Sequence, residues 1–319
     1  MSSRPTITVL RADTHGLSSR EYADALEERL PDHEIRYAAT PHAERDAVAD
    51  ADIVTGTSID TDLLDAANDI ELFACAYAGY NHLPMDALRE RGVAVTNGAG
   101  IHAPGIAEQV LGYVLTFARN LQQGFRQSER GEWRHYQAHG ELTDATVTIV
   151  GLGAIGTEVE QRLRGFGAHT IGVRYTPEKG GPTDEVVGFD PADVHDALAR
   201  SDYVVLACPL TETTEGLIGA AEFETLEPEA VVVNVARGGV VDTDALVDAL
   251  RGESIRGAAL DVTDPEPLPP DHVLWTLNNC LVTPHNAGHT PQHWTRLADI
   301  LAENVNRLAA DEELKNRVD

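Results

Sequence analysis

A strand that runs directly into a glycine-rich turn restricts the fold of this chain more than any other feature. Residues 146–150 (Thr-Val-Thr-Ile-Val) are apolar and β-branched, and they lead into Gly151-Leu-Gly-Ala-Ile-Gly156 and a predicted helix. Gly151 permits the tight turn, Gly153 lets the backbone approach a diphosphate, and Gly156 lets the helix pack closely on the strand. The unpaired N–H groups of the helix N-terminus favour the same anion. The pattern predicts a dinucleotide-binding unit, with an unliganded glycine-rich turn as the alternative.

Strand-like and helix-like segments alternate along the rest of the chain, which is typical of α/β domains with parallel sheets. The first 98 residues alone predict five strands and four helices: strands 6–10, 33–38, 52–55, 72–76 and 93–96, and helices 19–30, 43–49, 60–67 and 85–91. A helix is predicted from about 104 to 120, and 132–141 is predicted to be irregular. Five further strands are predicted at 169–175, 203–207, 230–235, 257–262 and 280–284, after the strand at 146–150.

The last predicted helix, Pro291–Leu308, has no strand of its own and is expected to dock back on the first domain. This predicts two doubly wound parallel-sheet domains, in which a Rossmann nucleotide-binding domain (99–285) is inserted into a flavodoxin-like substrate-binding domain (1–98 and 286–319). A chain of 319 residues is long enough to give each domain a core.

The charge of the chain limits its partners. Fifty-two acidic residues against 24 lysines and arginines give a formal net charge of −28. Such a field repels nucleic acid and anionic lipid, so neither is an expected partner. With only two lysines, Lys179 and Lys315, the composition is similar to that of haloarchaeal proteins, which predicts a saline cytoplasm.

Other sequence features also favour a cytoplasmic protein without a metal. No apolar run approaches the roughly 20 residues that span a bilayer, and no signal peptide is predicted. Cys75, Cys208 and Cys280 are scattered without metal-ligand spacing, so we expect buried thiols, no disulfide and no metal site.

The end of the second strand of the nucleotide domain bears on cofactor choice. An acid is usual there, where it binds the ribose 2′-hydroxyl of NAD. This chain has Arg174, Tyr175 and Thr176 instead, and a guanidinium and a hydroxyl can bind the 2′-phosphate of NADP. We therefore expect NADP(H) to be preferred, with NAD(H) possible if Arg174 is only a surface arginine.

Three residues that lie at or after the ends of predicted strands form a candidate catalytic set. Arg237 follows the strand 230–235, where a guanidinium can bind a carboxylate and a developing oxyanion. His285 ends the strand 280–284 and is suited to general acid–base chemistry, although a structural histidine would also fit there. Glu266 lies on a proline-rich loop, where it is either a surface charge or the carboxylate that orients His285. Together they indicate reduction of a 2-keto acid.

With these motifs the chain resembles the D-isomer-specific 2-hydroxyacid dehydrogenase family over nearly its whole length. The resemblance rests on segments 151–156, 208–211, 234–242, 259–262, 266–267 and 283–285, and it implies homodimers of a 2-keto acid reductase. It assigns substrate orientation to Arg237, acid–base chemistry to His285 and pairing with His285 to Glu266. It places the substrate carboxylate near the backbone amides of Ala78 and Gly79. The cofactor is expected at Gly151, Gly153, Ala154, Ile155, Gly156, Arg174, Tyr175, Thr176, Cys208, Pro209, Thr213, Val235, Ala236, Asp261, His285 and Gly288.

Several alternatives stay open on the sequence alone. The enzyme could be a general D-2-hydroxyacid dehydrogenase or a glyoxylate/hydroxypyruvate reductase, and proteins of this fold also serve as dinucleotide-sensing corepressors. Glu266 disfavours the formate dehydrogenase branch, which has glutamine at this position. The chain is expected to lack the regulatory domain of many 3-phosphoglycerate dehydrogenases. Tyr77 and Trp294 are candidates to line the substrate pocket, or else core residues.

Overall fold

The computed structural model describes residues 4–137 and 140–318 and divides into two compact units. The first unit runs to Ile101 and resumes at His289, and the second comprises His102–Gly288. Strands and helices are numbered in chain order. None of the described helices is long and apolar enough to cross a membrane.

The first unit contains a five-stranded parallel sheet in the order β2-β1-β3-β4-β5. This is the flavodoxin-like order, so the predicted fold class is confirmed for this unit. The strands are β1 (Ile7–Val9), β2 (Ile35–Tyr37), β3 (Ile53–Gly56), β4 (Leu72–Cys75) and β5 (Ala94–Thr96). The helices are α1 (Ser19–Arg29), α2 (Pro41–Val48), α3 (Thr61–Ala66), α4 (Met85–Glu90) and the last helix of the chain, α11 (His293–Ala309).

Helix α11 packs with α1 on one face of this sheet, as the absence of an accompanying strand predicts. Tyr22 and Leu26 of α1 share a core cluster with Leu297 and Leu301 of α11. Trp294 is only 3% exposed, and its ring stacks on Tyr22 with 5.0 Å between centroids. Of its two predicted roles, the structure therefore shows the core one.

The second unit contains a seven-stranded parallel sheet in the order β12-β11-β10-β9-β6-β7-β8. The six strands other than β12 follow the Rossmann order, and β12 is an additional strand at the edge of the sheet. The strands are β6 (Thr146–Val150), β7 (His169–Val173), β8 (Glu185–Val187), β9 (Tyr203–Leu206), β10 (Val231–Asn234), β11 (Gly257–Leu260) and β12 (Cys280–Val282). The helices are α5 (Ala103–Ala118), α6 (Leu121–Glu129), α7 (Ala154–Leu163), α8 (Pro191–Ala199), α9 (Ala220–Thr225) and α10 (Thr243–Arg251).

Two elements of this unit are absent from the sequence prediction. The helix predicted to run to Asn120 ends at Ala118, because Asn120 adopts the left-handed conformation with φ 52°, and α6 follows. The edge strand β8 is only three residues long, too short to give a period-two pattern. The segment predicted to be irregular has no helix or strand at 132–137 and 140–141, and its residues 138–139 lie outside the described ranges.

The described residues also bear on the cysteines and on metal binding. Cys75, Cys208 and Cys280 are all free and buried, so the expectation of buried thiols is confirmed. Burial raises the pKa of Cys208 to about 11 and that of Cys280 to about 12. Among residues 4–137 and 140–318, no group of three or more histidine, cysteine or acidic side chains is arranged to hold a metal ion.

Candidate active site

The glycine-rich turn lies where the strand order of the second sheet reverses, between β6 and β9. Gly151 has φ 99°, and a Cβ there would lie 2.8 Å from the carbonyl oxygen of Ala207 at the end of β9. A Cβ at Gly156 would lie 2.0 Å from the Gly151 carbonyl oxygen, so only glycine lets α7 approach the turn this closely. A crevice at such a reversal is where doubly wound sheets bind ligands.

The start of α7 fits the diphosphate of a dinucleotide. A Cβ at Gly153 would meet no atom within 4 Å, so this side of the turn is open. Gly153 is the N-cap of α7 and has no side chain that could accept from the first helical turn. The N–H groups of that turn, including those of Ala154 and Ile155, are therefore left for an anion. A turn that is tight at Gly151 and Gly156 and open at Gly153 has the shape that phosphate binding requires.

The turn after β9 contains Cys208 and Pro209 and is held by a threonine. Thr214 is 3% exposed, and its hydroxyl donates to the Pro209 carbonyl at 2.6 Å and accepts from the Thr211 N–H at 2.8 Å. Thr213, the residue expected to contact the cofactor, is exposed beside it. Thr214 was not predicted as a site residue, although the Thr-x-x-Thr spacing of 211 and 214 is a signal for such a turn.

The loop after β7 brings Arg174, Tyr175 and Thr176 together at the carboxyl edge of the sheet. The Arg174 guanidinium is half-buried and donates to the carbonyl of Gly180 at 2.5 Å, so it lies over the turn that ends this loop. Tyr175 is 80% exposed. The loop therefore presents a cation, a phenol and a hydroxyl, and its first acid is Glu178.

A buried asparagine shapes the turn that carries Arg237. Asn234 is 1% exposed, accepts the Ala236 N–H at 3.0 Å and donates to the Arg237 carbonyl at 3.0 Å. Val235 and Ala236 are buried within the turn, whereas Arg237 is exposed. The guanidinium donates to the Ala236 carbonyl at 2.6 Å and forms no ion pair with any described residue. Its remaining N–H groups are therefore available to a ligand.

The turn of Arg237 and the loops of Glu266 and His285 follow three adjacent parallel strands. Asn234 pairs with Leu260, and Leu260 with Val282, so the carboxyl ends of β10, β11 and β12 lie side by side. The Nδ1 of His285 is hydrogen-bonded to Oε1 of Glu266. Both side chains are partly exposed, and the Nε2 of His285 makes no hydrogen bond with the residues that the structure describes. The imidazole is thus oriented through one nitrogen and open at the other.

Asp261 secures the turn that contains His285. It is 3% exposed, and its carboxylate accepts from the Thr283 hydroxyl at 2.5 Å, the Asn286 N–H at 3.1 Å and the Ala287 N–H at 2.9 Å. The His285 N–H donates to the Asp261 carbonyl at 2.8 Å, and His285 itself has φ 51°. The turn continues to Gly288, whose carbonyl is hydrogen-bonded to Nδ1 of His102 at 2.6 Å.

In the first unit, Ala78 and Gly79 follow β4 in an exposed turn. The Ala78 carbonyl accepts a hydrogen bond from the side chain of Asn97 at 2.6 Å, and the Tyr77 carbonyl accepts the N–H of Gly98 at 2.9 Å. The N–H groups of Ala78 and Gly79 donate to no backbone group among the described residues. They are therefore available to an anion. The Asn97 side chain, which was not among the predicted site residues, supports the turn.

Similarity to known proteins shows the family of the chain. Residues 111–287 match the family model described as D-isomer specific 2-hydroxyacid dehydrogenase, NAD binding domain. The chain belongs to the D-isomer specific 2-hydroxyacid dehydrogenase family. Its predicted family and its fold of two parallel-sheet α/β domains are therefore confirmed.

Individual relatives cover the chain to different extents. It is 32% identical to a D-3-phosphoglycerate dehydrogenase of Methanocaldococcus jannaschii over 93% of this chain but only 57% of that protein, so it spans little more than half of that relative. It is 34% identical to the human glyoxylate reductase/hydroxypyruvate reductase over 77% of this chain and 76% of the human protein. A solved D-isomer specific 2-hydroxyacid dehydrogenase of Xanthobacter autotrophicus, in complex with NADPH and MES, is 28% identical, with a TM-score of 0.78 over 99% of this chain and 98% of that chain.

Proposed function

We propose that this family member is an NADP(H)-preferring D-2-hydroxyacid dehydrogenase that reversibly reduces 2-keto acids. The observation that carries the proposal is the pairing of His285 with Glu266 through Nδ1, which leaves Nε2 for a substrate. An imidazole held this way can donate a proton to a developing alkoxide and take it back in the reverse direction. The carboxylate fixes the orientation of the ring through Nδ1.

The other residues bind and orient the substrate in this proposal. Arg237 binds the 2-keto acid with one planar fork, which can reach both a carboxylate oxygen and the keto oxygen. In the first unit, we propose the open N–H groups of Ala78 and Gly79 as a binding site for a carboxylate. His285 donates its proton from Nε2 to the keto oxygen as negative charge develops there. The nicotinamide cofactor, when bound, supplies the hydride.

The preference for NADP(H) rests on the loop after β7. Arg174 lies at the carboxyl end of β7, beside the glycine-rich turn, where an acid would exclude a 2′-phosphate. Charge-assisted hydrogen bonds from a guanidinium to a phosphate are among the strong ones. The related Xanthobacter enzyme was solved with NADPH, which supports the same choice.

The cofactor assignment is tested with Arg174→Gln and the matched loop variant Lys179→Gln. We expect Arg174→Gln to raise the KM for NADPH about tenfold and to leave the KM for NADH within about twofold, since only NADPH carries the 2′-phosphate. Lys179→Gln removes a cation from the same loop and should change neither value. Equal effects of both variants, or wild-type preference for NADH, would exclude the assignment.

The activity itself is tested on a panel of 2-keto acids in high KCl, with NADPH and NADH and chiral analysis of the product. We expect the D-hydroxy acid, and we expect Arg237→Ala to lower kcat/KM about 100- to 1000-fold. Arg251→Ala, which removes another exposed arginine of the same unit, should retain activity. Turnover of no 2-keto acid, or full activity of Arg237→Ala, would reject the proposal.

A glyoxylate/hydroxypyruvate reductase is the second candidate. The observation in its favour is the similarity to the human enzyme of that name, which extends over three quarters of both chains. The same substrate panel decides between the two. Activity confined to glyoxylate and hydroxypyruvate would select this candidate, and activity on longer 2-keto acids would select the broader D-2-hydroxyacid dehydrogenase.

We further propose a homodimer formed through the second unit. Two of its aromatic side chains are unusually exposed, with Trp133 at 98% and Phe125 at 62%. Exposed apolar surface of this kind is typical of protein–protein contacts. Light scattering should give twice the 34.4 kDa chain mass for the wild-type protein and a shift toward monomer for Trp133→Ser. A monomeric wild-type protein would refute this part of the proposal.

A further inference from the structure

A chain of partly buried hydrogen bonds leads from helix α5 to Asp261. Gln109 Nε2 donates to the Tyr113 hydroxyl at 2.9 Å, and the Tyr113 hydroxyl is hydrogen-bonded to that of Thr283. Thr283 in turn donates to the Asp261 carboxylate at 2.5 Å. Tyr113 is 6% and Asp261 3% exposed, so the relay is largely shielded from solvent.

The direction of each hydrogen bond follows from the groups involved. The Asp261 carboxylate only accepts, so the single proton of the Thr283 hydroxyl points to Asp261. Thr283 must then accept from Tyr113, which is free to donate its proton because Gln109 donates to it. Burial raises the pKa of Tyr113, and the charge of Asp261 raises it further, so the phenol stays protonated around neutral pH. All three hydrogen bonds of the relay therefore have the same direction, with the donor on the Gln109 side and the acceptor on the Asp261 side.

The relay ends at the group that holds the turn of His285. Besides Thr283, the Asp261 carboxylate binds the N–H groups of Asn286 and Ala287, which follow His285 in the chain. Thr283 precedes His285 by two residues, so Asp261 holds the turn on both sides of the histidine. A buried carboxylate is costly unless donors surround it, and loss of one donor weakens the whole arrangement.

We propose that Tyr113 is a positioning residue, which holds Thr283 and Asp261 so that the His285 turn keeps its geometry. This inference rests on the proposed function in that it assigns the consequence to proton transfer by His285. Tyr113 lies 170 residues from Thr283 along the chain, so this hydroxyl joins α5 to a distant segment of the chain. Hydrogen bonds of this kind fix a reacting group within the narrow range of geometry that catalysis requires.

The kinetic test compares Tyr113→Phe with a tyrosine of matched burial in the same unit. Tyr203 is 5% exposed and lies at the start of β9, away from the carboxyl ends of the strands. We expect Tyr113→Phe to lower kcat about tenfold with KM for the 2-keto acid within twofold, since a net hydrogen bond corresponds to about a tenfold change. Tyr203→Phe should retain kcat. Equal kcat in both variants would overturn the proposal.

Variants of Thr283 test the relay from its other end. Thr283→Ser keeps the hydroxyl and should retain kcat within about twofold, whereas Thr283→Val keeps the shape and should lose at least as much as Tyr113→Phe. The double variant Tyr113→Phe/Thr283→Val should lose no more than the worse single variant, because both remove the same relay. Additive losses would show that the two residues act separately and would contradict the proposal.

Amide hydrogen exchange tests the positioning without any turnover. The amide exchange rate of the peptide that contains Asn286 and Ala287 should be about tenfold higher in Tyr113→Phe than in the wild type. In Tyr203→Phe the rate should equal that of the wild type. Unchanged exchange in Tyr113→Phe would contradict the proposal. If the wild type reduced no 2-keto acid, the proposed function would fail, and the exchange result would still decide whether Tyr113 holds this turn.

Discussion

Gly238 packs against the main-chain carbonyl of Thr263, and a Cβ at position 238 would lie 2.0 Å from that oxygen. Gly238 follows Arg237, and Thr263 begins the loop that leads to Glu266. A second contact, from the Thr243 hydroxyl to the Asp264 carbonyl at 2.9 Å, joins the same two segments. The turn that presents the arginine and the loop that presents the glutamate are therefore packed as one piece.

The first prediction follows from this contact. Gly238→Ala should lower kcat/KM at least about tenfold and reduce thermal stability, because the obstacle is backbone and cannot move aside as a flexible side chain would. Gly239→Ala is the control, since its Cβ would first meet Leu210 at an ordinary 3.4 Å. Steady-state kinetics and thermal unfolding of both variants provide the measurement. Similar kcat/KM and similar thermal stability of the two variants would show that the close approach of Gly238 to Thr263 is unimportant.

The second prediction concerns the hydrogen bond between Glu266 and His285. Glu266→Gln can still accept from His285 Nδ1, but the hydrogen bond to a neutral amide is weaker than one to a carboxylate, so reductive kcat/KM should fall about 10- to 100-fold. Glu266→Ala should lose more, because the orientation of the ring is also lost. Steady-state kinetics of both variants provide the measurement, and an identical loss in the two would contradict a role for the hydrogen bond to Nδ1.

The sequence was sufficient for elements whose signal is local. The glycines at 151, 153 and 156 predict the turn because strand, turn and helix are contiguous, and both sheets have the predicted parallel α/β character. The break between α5 and α6 was missed because it depends on Asn120 adopting a left-handed conformation within an otherwise helical pattern. Strand β8 was missed because three residues at a sheet edge show no periodicity.

The supporting residues of the site could not be predicted in the same way. Arg237, Glu266 and His285 are proposed for catalysis from their residue types and their positions at or after strand ends. Thr283 and Tyr113 meet only after the sheet and α5 have packed, and neither residue type suggests the contact in advance. Tertiary hydrogen bonds between distant segments carry no periodic or local pattern, so they become visible only in the structure.

The third prediction concerns acid stability and Asp184. The N–H of Thr170 lowers the pKa of Asp184 most, and the Thr170 hydroxyl lowers it further, which joins the start of β8 to β7. A folded-state pKa below the ordinary 3.8 means that this group stabilises the fold fully above about pH 5, and that the contribution is lost as the pH falls through the folded-state value. Asp184→Asn should therefore lower Tm by a few degrees at pH 7 and less at pH 3.5.

Asp248→Asn is the control for this prediction, because Asp248 is an exposed aspartate of α10 whose side chain bonds to no described residue. Its Tm should follow the wild type across the same pH range. A constant difference between Asp184→Asn and the wild type from pH 7 to pH 3.5 would show that the Asp184 carboxylate does not contribute through its ionisation.

The fourth prediction is that salt stabilises the protein. With 52 acids and 24 lysines and arginines, repulsion between carboxylates extends over the chain, and raising KCl from 0.1 to 1 M shortens the Debye length from about 10 to about 3 Å. Salt also weakens exposed ion pairs such as Arg20–Asp24, but each contributes only about 0.3–0.5 kcal/mol. We expect the repulsion to dominate, so Tm should rise by about 5–10 °C.

An uncharged solute provides the control for the salt effect. Sucrose strengthens burial without screening charge, so sucrose at matched osmolality should raise Tm less than KCl does. Comparison of the two solutes in thermal unfolding therefore isolates the screening contribution. A Tm that is flat or falls with KCl would mean that the net charge of −28 is already balanced by local ion pairs such as Arg200 with Glu185 and Asp196, which salt weakens.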